Sequence, residues 1–330
     1  MNFYYTKPFI IADLGSTWNR SASEEENLHF CVQAIKAVRD AGCNAVKFQL
    51  YTHEELYGFK GDDKYALPRE WLSILAREAN SHDLEFMCTP FSVSGLKAVD
   101  EFVNIHKLAS CEFTHHELLL AIAQTNKPVV ISTGSCNQLE VLDTIKLWQD
   151  LSSNDICVLE CVASYPAAPT DYHLQALISW KESAAVGISD HTLTSSIALT
   201  SIGFGAQVFE KHFDAFKDMG YGKVPDSPVS IGPEAMKRYT EDINHAFNAI
   251  RNGFKKPVDA EKEIYDCYRR RPIALRAISN KEVYILNDNY GCYRGSKSTD
   301  KISPLAVDIH GRIAKRDIPK GDPIGFDDIV

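Results

Sequence analysis

Short runs rich in Val, Ile and Phe recur along the chain at Phe9 to Leu14, Ala45 to Leu50, Glu85 to Phe91, Ile105 to Ser110, Pro128 to Thr133, Cys157 to Ser164, Ala185 to Ser189 and Gln207 to Phe213. Between them lie stretches with apolar residues at helical spacing, such as Leu28, Cys31, Val32, Ile35 and Val38, or Leu72, Leu75, Ala76 and Ala79. This alternation constrains the fold more than any other feature. Parallel strands joined by crossover helices make an α/β domain, and eight units in about two hundred residues is the count that closes a (β/α)8 TIM barrel. An open, doubly wound sheet is the alternative. It would usually carry a Gly-rich dinucleotide fingerprint after the first strand, where Leu14-Gly15-Ser16-Thr17-Trp18 holds a single glycine.

The alternation stops after a helix expected at Pro233 to Asn252, where Gly253-Phe254-Lys255-Lys256-Pro257 opens a charged connector. The organisation predicted is a barrel over 1–252, a linker over 253–270 and a small β-rich domain over 271–330. That last domain carries a faint self-similarity at an offset of 40, Arg276-Ala277-Ile278 through Asp288 against Arg316-Asp317-Ile318 through Asp328. Two related halves or chance would produce it. A domain so small has a thin core and gains from docking on another surface.

Charge narrows the partners. Lys plus Arg is 35 against 44 for Asp plus Glu, a net charge of −9, so no global field gathers nucleic acid or anionic membrane. An anionic ligand needs a local basic pocket. The cysteines number nine with no C-x-x-C pair, which reads as reduced thiols. Met1 to Asp13 lacks the apolar segment of a secretory signal, and Thr192 to Phe209 is too polar for a bilayer span. A cytoplasmic protein is expected, with neither nucleic acid nor membrane as partner.

In a barrel enzyme the catalytic groups sit at the C-terminal ends of the strands. Here those ends are polar: Asp13, then Lys47 with Gln49, Thr89, Lys107 with Ser110 and Glu112, Ser132-Thr133-Gly134, Ser164-Tyr165, Ser189-Asp190-His191, and Glu210 with His212. Such groups are costly inside a barrel unless paired. Residues two apart on a strand point the same way, so Lys47 shares a face with Gln49, and Glu210 with His212. Two lysines among hydroxyls make a local site for phosphate or carboxylate, with a Schiff-base lysine as the rival use. His191 and His212 end neighbouring strands, within reach of one divalent ion. Two imidazoles with oxygen ligands favour Mn, Fe, Co or Zn over Mg by ligand softness.

Ala45-Val46-Lys47-Phe48-Gln49, Thr89-Pro90-Phe91-Ser92, Lys107-Leu108-Ala109-Ser110, Ser132-Thr133-Gly134, Ser189-Asp190-His191-Thr192 and Glu210-Lys211-His212-Phe213 occur in that order. Together they resemble the sialic acid synthase family. Val224-Pro225-Asp226-Ser227 extends the likeness, and Ile302-Ser303-Pro304 with Lys315-Arg316-Asp317-Ile318-Pro319-Lys320-Gly321 is similar to its C-terminal antifreeze-like (SAF) domain. The resemblance implies condensation of phosphoenolpyruvate with an N-acyl-mannosamine-type amino sugar, giving a nonulosonic acid and phosphate. It implies a divalent metal on His191 and His212, with Mn2+ favoured and Mg2+ or Co2+ as alternatives. Lys47, Thr89, Lys107, Ser110, Ser132 and Ser189 match the phosphoenolpyruvate-binding positions. Asp13, Glu210 and Glu112 are the catalytic carboxylates it suggests, and Gln49, Phe91, Tyr165, Asp226 and Arg294 fall toward the sugar. Arg294 would come from the partner chain of a domain-exchanged homodimer.

The chain departs from the family pattern at several points. Asp13 stands where a glutamate is usual, Ala163 where the resemblance implies a side-chain amide against phosphoenolpyruvate, and Trp18 where a polar residue is usual. These departures suggest a divergent member with an altered acceptor. They also motivate a non-catalytic paralogue that binds a sugar or a partner synthase, or a synthase acting on another aldose.

Overall fold

The structure, a computed structural model, describes residues 7–250, 254–294 and 306–330. The chain divides into two compact units, Met1–Arg251 and Asn252–Val330. In the first unit β1 (Phe9–Asp13), β2 (Ala45–Leu50), β3 (Glu85–Pro90), β4 (His106–Leu108), β5 (Val129–Ser132), β6 (Ile156–Cys161), β7 (Ala185–Asp190) and β8 (Val208–His212) form one parallel sheet. Its order is β3-β2-β1-β8-β7-β6-β5-β4, so β1 pairs with both β2 and β8, and the ends of the ladder are sequence neighbours. Asn104, just before β4, hydrogen-bonds to Glu85 at the start of β3 and ties those ends together. This is the TIM barrel that the alternation predicts.

Helices α1 (Glu24–Asp40), α2 (His53–Tyr57), α3 (Leu72–Ser81), α4 (Val93–Val99), α5 (His116–Ala123), α6 (Gln138–Leu151), α7 (Ala176–Trp180), α8 (Ser196–Ile202) and α9 (Pro233–Ala249) connect and surround the strands. Their starts are locally encoded. Ser23 caps α1 and three glutamates fill its first turn, while Asn137 and Glu140 close a capping box on α6. The apolar stripe Cys31, Ala34, Ile35 and Val38 of α1 is buried against the strands. None of the helices among the described residues is long and apolar enough to cross a membrane.

Strand alternation splits the core in two. Val46, Phe48, Phe86, Cys88, Val158, Val186 and Ile188 pack outward among the helices. Phe9, Ile11, Ala45, Met87, Ile105, Val130, Cys157, Leu159, Ala185 and Val208 fill the barrel interior. That plug fills the barrel below the polar strand ends and directs the strand-end side chains to its C-terminal mouth.

The second unit contains an antiparallel pair, β9 (Arg270–Ala274) with β10 (Tyr290–Arg294). The offset of 40 has a structural counterpart here. Ile278 and Ile318 pair in an antiparallel bridge, Arg276 bonds Asp288 at 3.0 Å, and Arg316 bonds Asp328 at 2.7 Å. Ile302-Ser303-Pro304 lies outside the described residues.

Candidate active site

The faces that carry the apolar plug turn polar one step toward the strand ends. Phe9 and Ile11 lead to Asp13, Ala45 to Lys47 and Gln49, Met87 to Thr89, Ile105 to Lys107, Val130 to Ser132, Cys157 and Leu159 to Cys161, Ala185 to Ser189, and Val208 to Glu210 and His212. Register then sets them level, because Asp13 lies opposite Lys47 on one side and His212 on the other, and Ser189 opposite Glu210.

Lys47 Nζ is 2.8 Å from Asp13 Oδ2, 3.8 Å from Glu210 Oε2, and donates to Thr89 Oγ1 at 3.2 Å. Lys107 Nζ donates to Ser132 Oγ at 2.7 Å and to the Leu108 carbonyl at 2.8 Å, and lies 3.9 Å from Glu210 Oε1. Ser189 Oγ donates to Glu210 Oε1 at 2.9 Å, while Glu210 Oε2 is buried without a hydrogen-bond partner. Gln49 Nε2 donates to Asp13 Oδ2 at 3.1 Å, and Ser110 Oγ accepts from the Gly134 amide at 2.9 Å.

The charges follow from this packing. Burial alone would push the Asp13 carboxyl up, but Lys47 and His212, with hydrogen bonds from Lys47 and the Gly15 amide, bring it down to about 2. Burial disfavours the Lys47 ammonium, yet Asp13 and Glu210 outweigh it and hold its pKa above the usual lysine value. At Lys107 burial prevails over the attraction of Glu210, and the pKa falls.

The imidazoles of His191 and His212 face one another, with ring centroids 5.3 Å apart. His191 Nδ1 lies 2.7 Å from the Val162 carbonyl, so it carries the proton and leaves Nε2 as a lone pair. His212 Nδ1 is buried without a partner, and its Nε2 is 3.7 Å from Asp13 Oδ2. Burial, the largest influence on both rings, lowers their pKa and favours neutral imidazole. Tyr165 covers the pair, its ring 4.3 Å from that of His191 and 5.8 Å from that of His212.

Outside the barrel wall, Asp190 and Lys211 form a fully buried ion pair at 3.1 Å. Asp190 also accepts from the Thr192 amide and hydroxyl at 2.9 and 2.8 Å, and from Tyr239 OH at 3.3 Å. This clamps the turn that carries His191. Tyr172 adds a second restraint, its hydroxyl accepting from the His191 amide at 2.8 Å and donating to the Ser189 carbonyl at 3.4 Å. Cys161 Sγ lies 3.6 Å from Ser110 Oγ and 3.8 Å from His191 Nδ1. Sequence reasoning gave Asp190, Lys211, Tyr172 and Cys161 no role. Asp190 and Lys211 had a signal in their place inside the strand-end motifs, and Cys161 in its shared face with Cys157 and Leu159.

At the rim, Asp226 accepts from the Ser16 amide and hydroxyl, both at 2.7 Å. Gly15 has φ +46°, and a Cβ there would collide with Asp226 Oδ2, so the turn after β1 requires glycine. Other predicted site residues have separate partners. Glu112 bonds His115 Nδ1 at 2.8 Å, Phe91 meets Tyr51 edge-on at 5.4 Å, and Trp18 is buried edge-on against Trp71 at 5.6 Å. Arg294 belongs to the second unit, with its guanidinium 5.9 Å from the Tyr268 ring centroid.

Residues 34–255 match the model of the NeuB family. The chain is 27% identical to a pseudaminic acid synthase of Campylobacter jejuni, over 96% of this chain and 95% of that protein. It is 30% identical to an N,N'-diacetyllegionaminic acid synthase of Legionella pneumophila, over 86% of each. Among solved structures, the N-acetylneuraminic acid (sialic acid) synthetase of Leptospira borgpetersenii superposes with a TM-score of 0.70 and 25% identity, over 79% of this chain and 90% of that one.

Proposed function

The chain belongs to the NeuB family, and on that premise we propose that it is a nonulosonate synthase condensing phosphoenolpyruvate with the open-chain aldehyde of an acylamino sugar. The carrying observation is the buried cluster of Lys47, Asp13, Glu210 and Lys107 at the barrel mouth, ringed by Thr89, Ser132 and Ser189. Two ammonium groups among hydroxyls suit a small ligand bearing both phosphate and carboxylate.

In this reading C3 of the enol bonds to the aldehyde carbon, and the aldehyde oxygen takes up a proton. C2 becomes electron-poor, gains a hydroxyl from water, and then gives up that hydroxyl's proton to the phosphate as the C2–O bond to phosphate breaks, leaving a keto acid. Asp13 and Glu210 would supply negative charge beside C2. Glu210 Oε2, which lacks a hydrogen-bond partner, would accept the proton of the attacking water. Lys47, Lys107 and the hydroxyls would hold the phosphoenolpyruvate and neutralise the departing phosphate. Gln49, Phe91, Glu112, Tyr165 and Asp226 would meet the sugar.

The residues present suit a divalent ion. Two neutral imidazoles face each other, one oriented by a backbone carbonyl and the other with an unpartnered buried nitrogen. His191 and His212 would hold it, Mn2+ by preference, and when bound it would polarise the aldehyde oxygen. An antifreeze-like character for the C-terminal unit, a domain-exchanged homodimer and a role for Arg294 in the partner's site belong to the same reading.

The test is phosphate release from phosphoenolpyruvate, with and without Mn2+, across N-acetylmannosamine, 2,4-diacylamino-6-deoxyhexoses and unsubstituted aldoses. Metal-dependent release with one acylamino acceptor is expected. Silence across the panel from folded protein would overturn the reading in favour of a non-catalytic binder.

A further inference from the structure

A cavity of about 1020 Å³ opens beside the C-terminal half of β6, lined by Glu160 and by Cys161, Val162 and Ala163 at the strand end. The β6–β7 crossover is mostly loop, with α7 only five residues long, so the helical layer is thin there. Alternation turns Glu160 outward, opposite in sense to Leu159 and Cys161, and its side chain lines this cavity. Glu160 is only 4% exposed. Its Oε1 accepts from the His173 amide at 3.0 Å, and its Oε2 is buried with no partner. A buried carboxylate oxygen without a donor is costly, and burial pushes this carboxyl's pKa up.

The carboxylates Glu160 and Asp171 line the cavity, with His173 as its one basic side chain and no lysine or arginine lining it among the described residues. The remaining wall is largely apolar, with Trp180, Ile197 and Phe204. Glu160, Asp171 and His173 are not grouped so as to hold a bare metal ion. The volume is that of a small-molecule site. Tyr172 lines the same cavity, and its hydroxyl holds the His191 amide and the Ser189 carbonyl.

We propose that this cavity is an effector site for a small organic cation, an ammonium group on an apolar body, with Glu160 Oε2 accepting its N–H. The cation satisfies the orphaned oxygen while its body covers Trp180 and Phe204. Through Tyr172 its presence reaches the end of β7, and that part of the inference rests on reading Ser189 and His191 as active-site residues.

Benzylamine serves as the probe and benzyl alcohol as its neutral isostere, titrated calorimetrically into the full-length protein. Saturable binding of benzylamine is expected, undisturbed by phosphoenolpyruvate and weakened by about tenfold or more both in Glu160→Gln and for the alcohol. Thr200→Arg, on an exposed position of the cavity wall, should abolish binding by placing a guanidinium there, which covers a failure of Glu160→Gln to fold. Absence of saturable binding, equal affinity in both variants, or displacement by phosphoenolpyruvate would each overturn the site. For the effector role, saturating benzylamine should change KM or kcat of phosphate release, and Tyr172→Phe should bind the probe yet lose that response. An unchanged rate would overturn the effector role. Binding without phosphate release under any condition would count against the proposed synthase and leave the cation site standing.

Discussion

Asp13 and Lys47 lie 2.8 Å apart with both side chains buried, so removing either leaves the other's charge in poorly solvated surroundings. Asp13→Asn is therefore expected to cost about 3–5 kcal/mol of stability, read from urea midpoints. Pairing Asp13→Leu with Lys47→Met should recover most of that loss, because both members of the 2.8 Å pair are gone and Glu210 keeps Lys107 at 3.9 Å. If the double variant is as unstable as the single one, the pair is not the source. Activity should fall by about a hundredfold or more in both variants, since the charge beside the reacting carbon is gone. This pair was half legible in the sequence. The ends of the strand-like runs named both residues, and period-two spacing put Lys47 beside Gln49. That Asp13 is their shared partner depends on β1 lying beside β2 in register. Tyr172 was not legible, because its hydroxyl acts on a backbone amide and no side-chain pattern announces that.

At the level of single elements, β4 carries a pH-dependent feature away from the site. His106 faces out from β4, fully buried, with Nε2 3.0 Å from Asp100 Oδ1 and Nδ1 unpartnered. Burial, only partly offset by Asp100, brings its pKa down to about 4 from 6.5. Between those values the unfolded chain binds a proton that the folded one does not. Stability is then full above 6.5 and falls as pH drops toward 4, with a slope approaching ~1.4 kcal/mol per pH unit from this residue. Asp100, whose pKa is also lowered, adds a loss of the same sign at lower pH. Urea midpoints between pH 7.5 and 4.5 should flatten in His106→Gln, and parallel curves would refute the assignment. On β7, a Cβ at Gly187 would strike the Val208 carbonyl of the adjacent strand and the Leu159 side chain. Gly187→Ala should cost about 1–3 kcal/mol or more by overpacking, checked by thermal denaturation. The elements themselves were readable, with α9 ending at Ala249 three residues before the expected Asn252.

For the whole molecule, a chelator should stop phosphate release and Mn2+ should restore it. His191→Ala and His212→Ala should lose metal-dependent turnover while circular dichroism shows the fold retained. Undiminished activity in either would remove that histidine from the metal. Sedimentation is expected to give a dimer at working concentration, and a monomer would count against the exchanged-domain reading. The C-terminal unit shows that a weak repeat can be structural: Arg276 with Asp288 and Arg316 with Asp328 are the same pairing 40 residues apart, joined through Ile278 and Ile318.

By itself the sequence determined what depends on near neighbours along the chain. Period two marked the strands and their inward faces, helical spacing marked the crossovers, and the order of polar strand ends marked the family. Those patterns survive because they arise from local backbone geometry. Tertiary structure alone decided what depends on residues far apart in sequence. Closure set Asp13 beside both Lys47 and His212, brought Lys107 to Glu210, and buried Glu160 Oε2 without a donor. Burial and pairing between distant segments set these charges, and no short window of sequence contains both sides of such a contact.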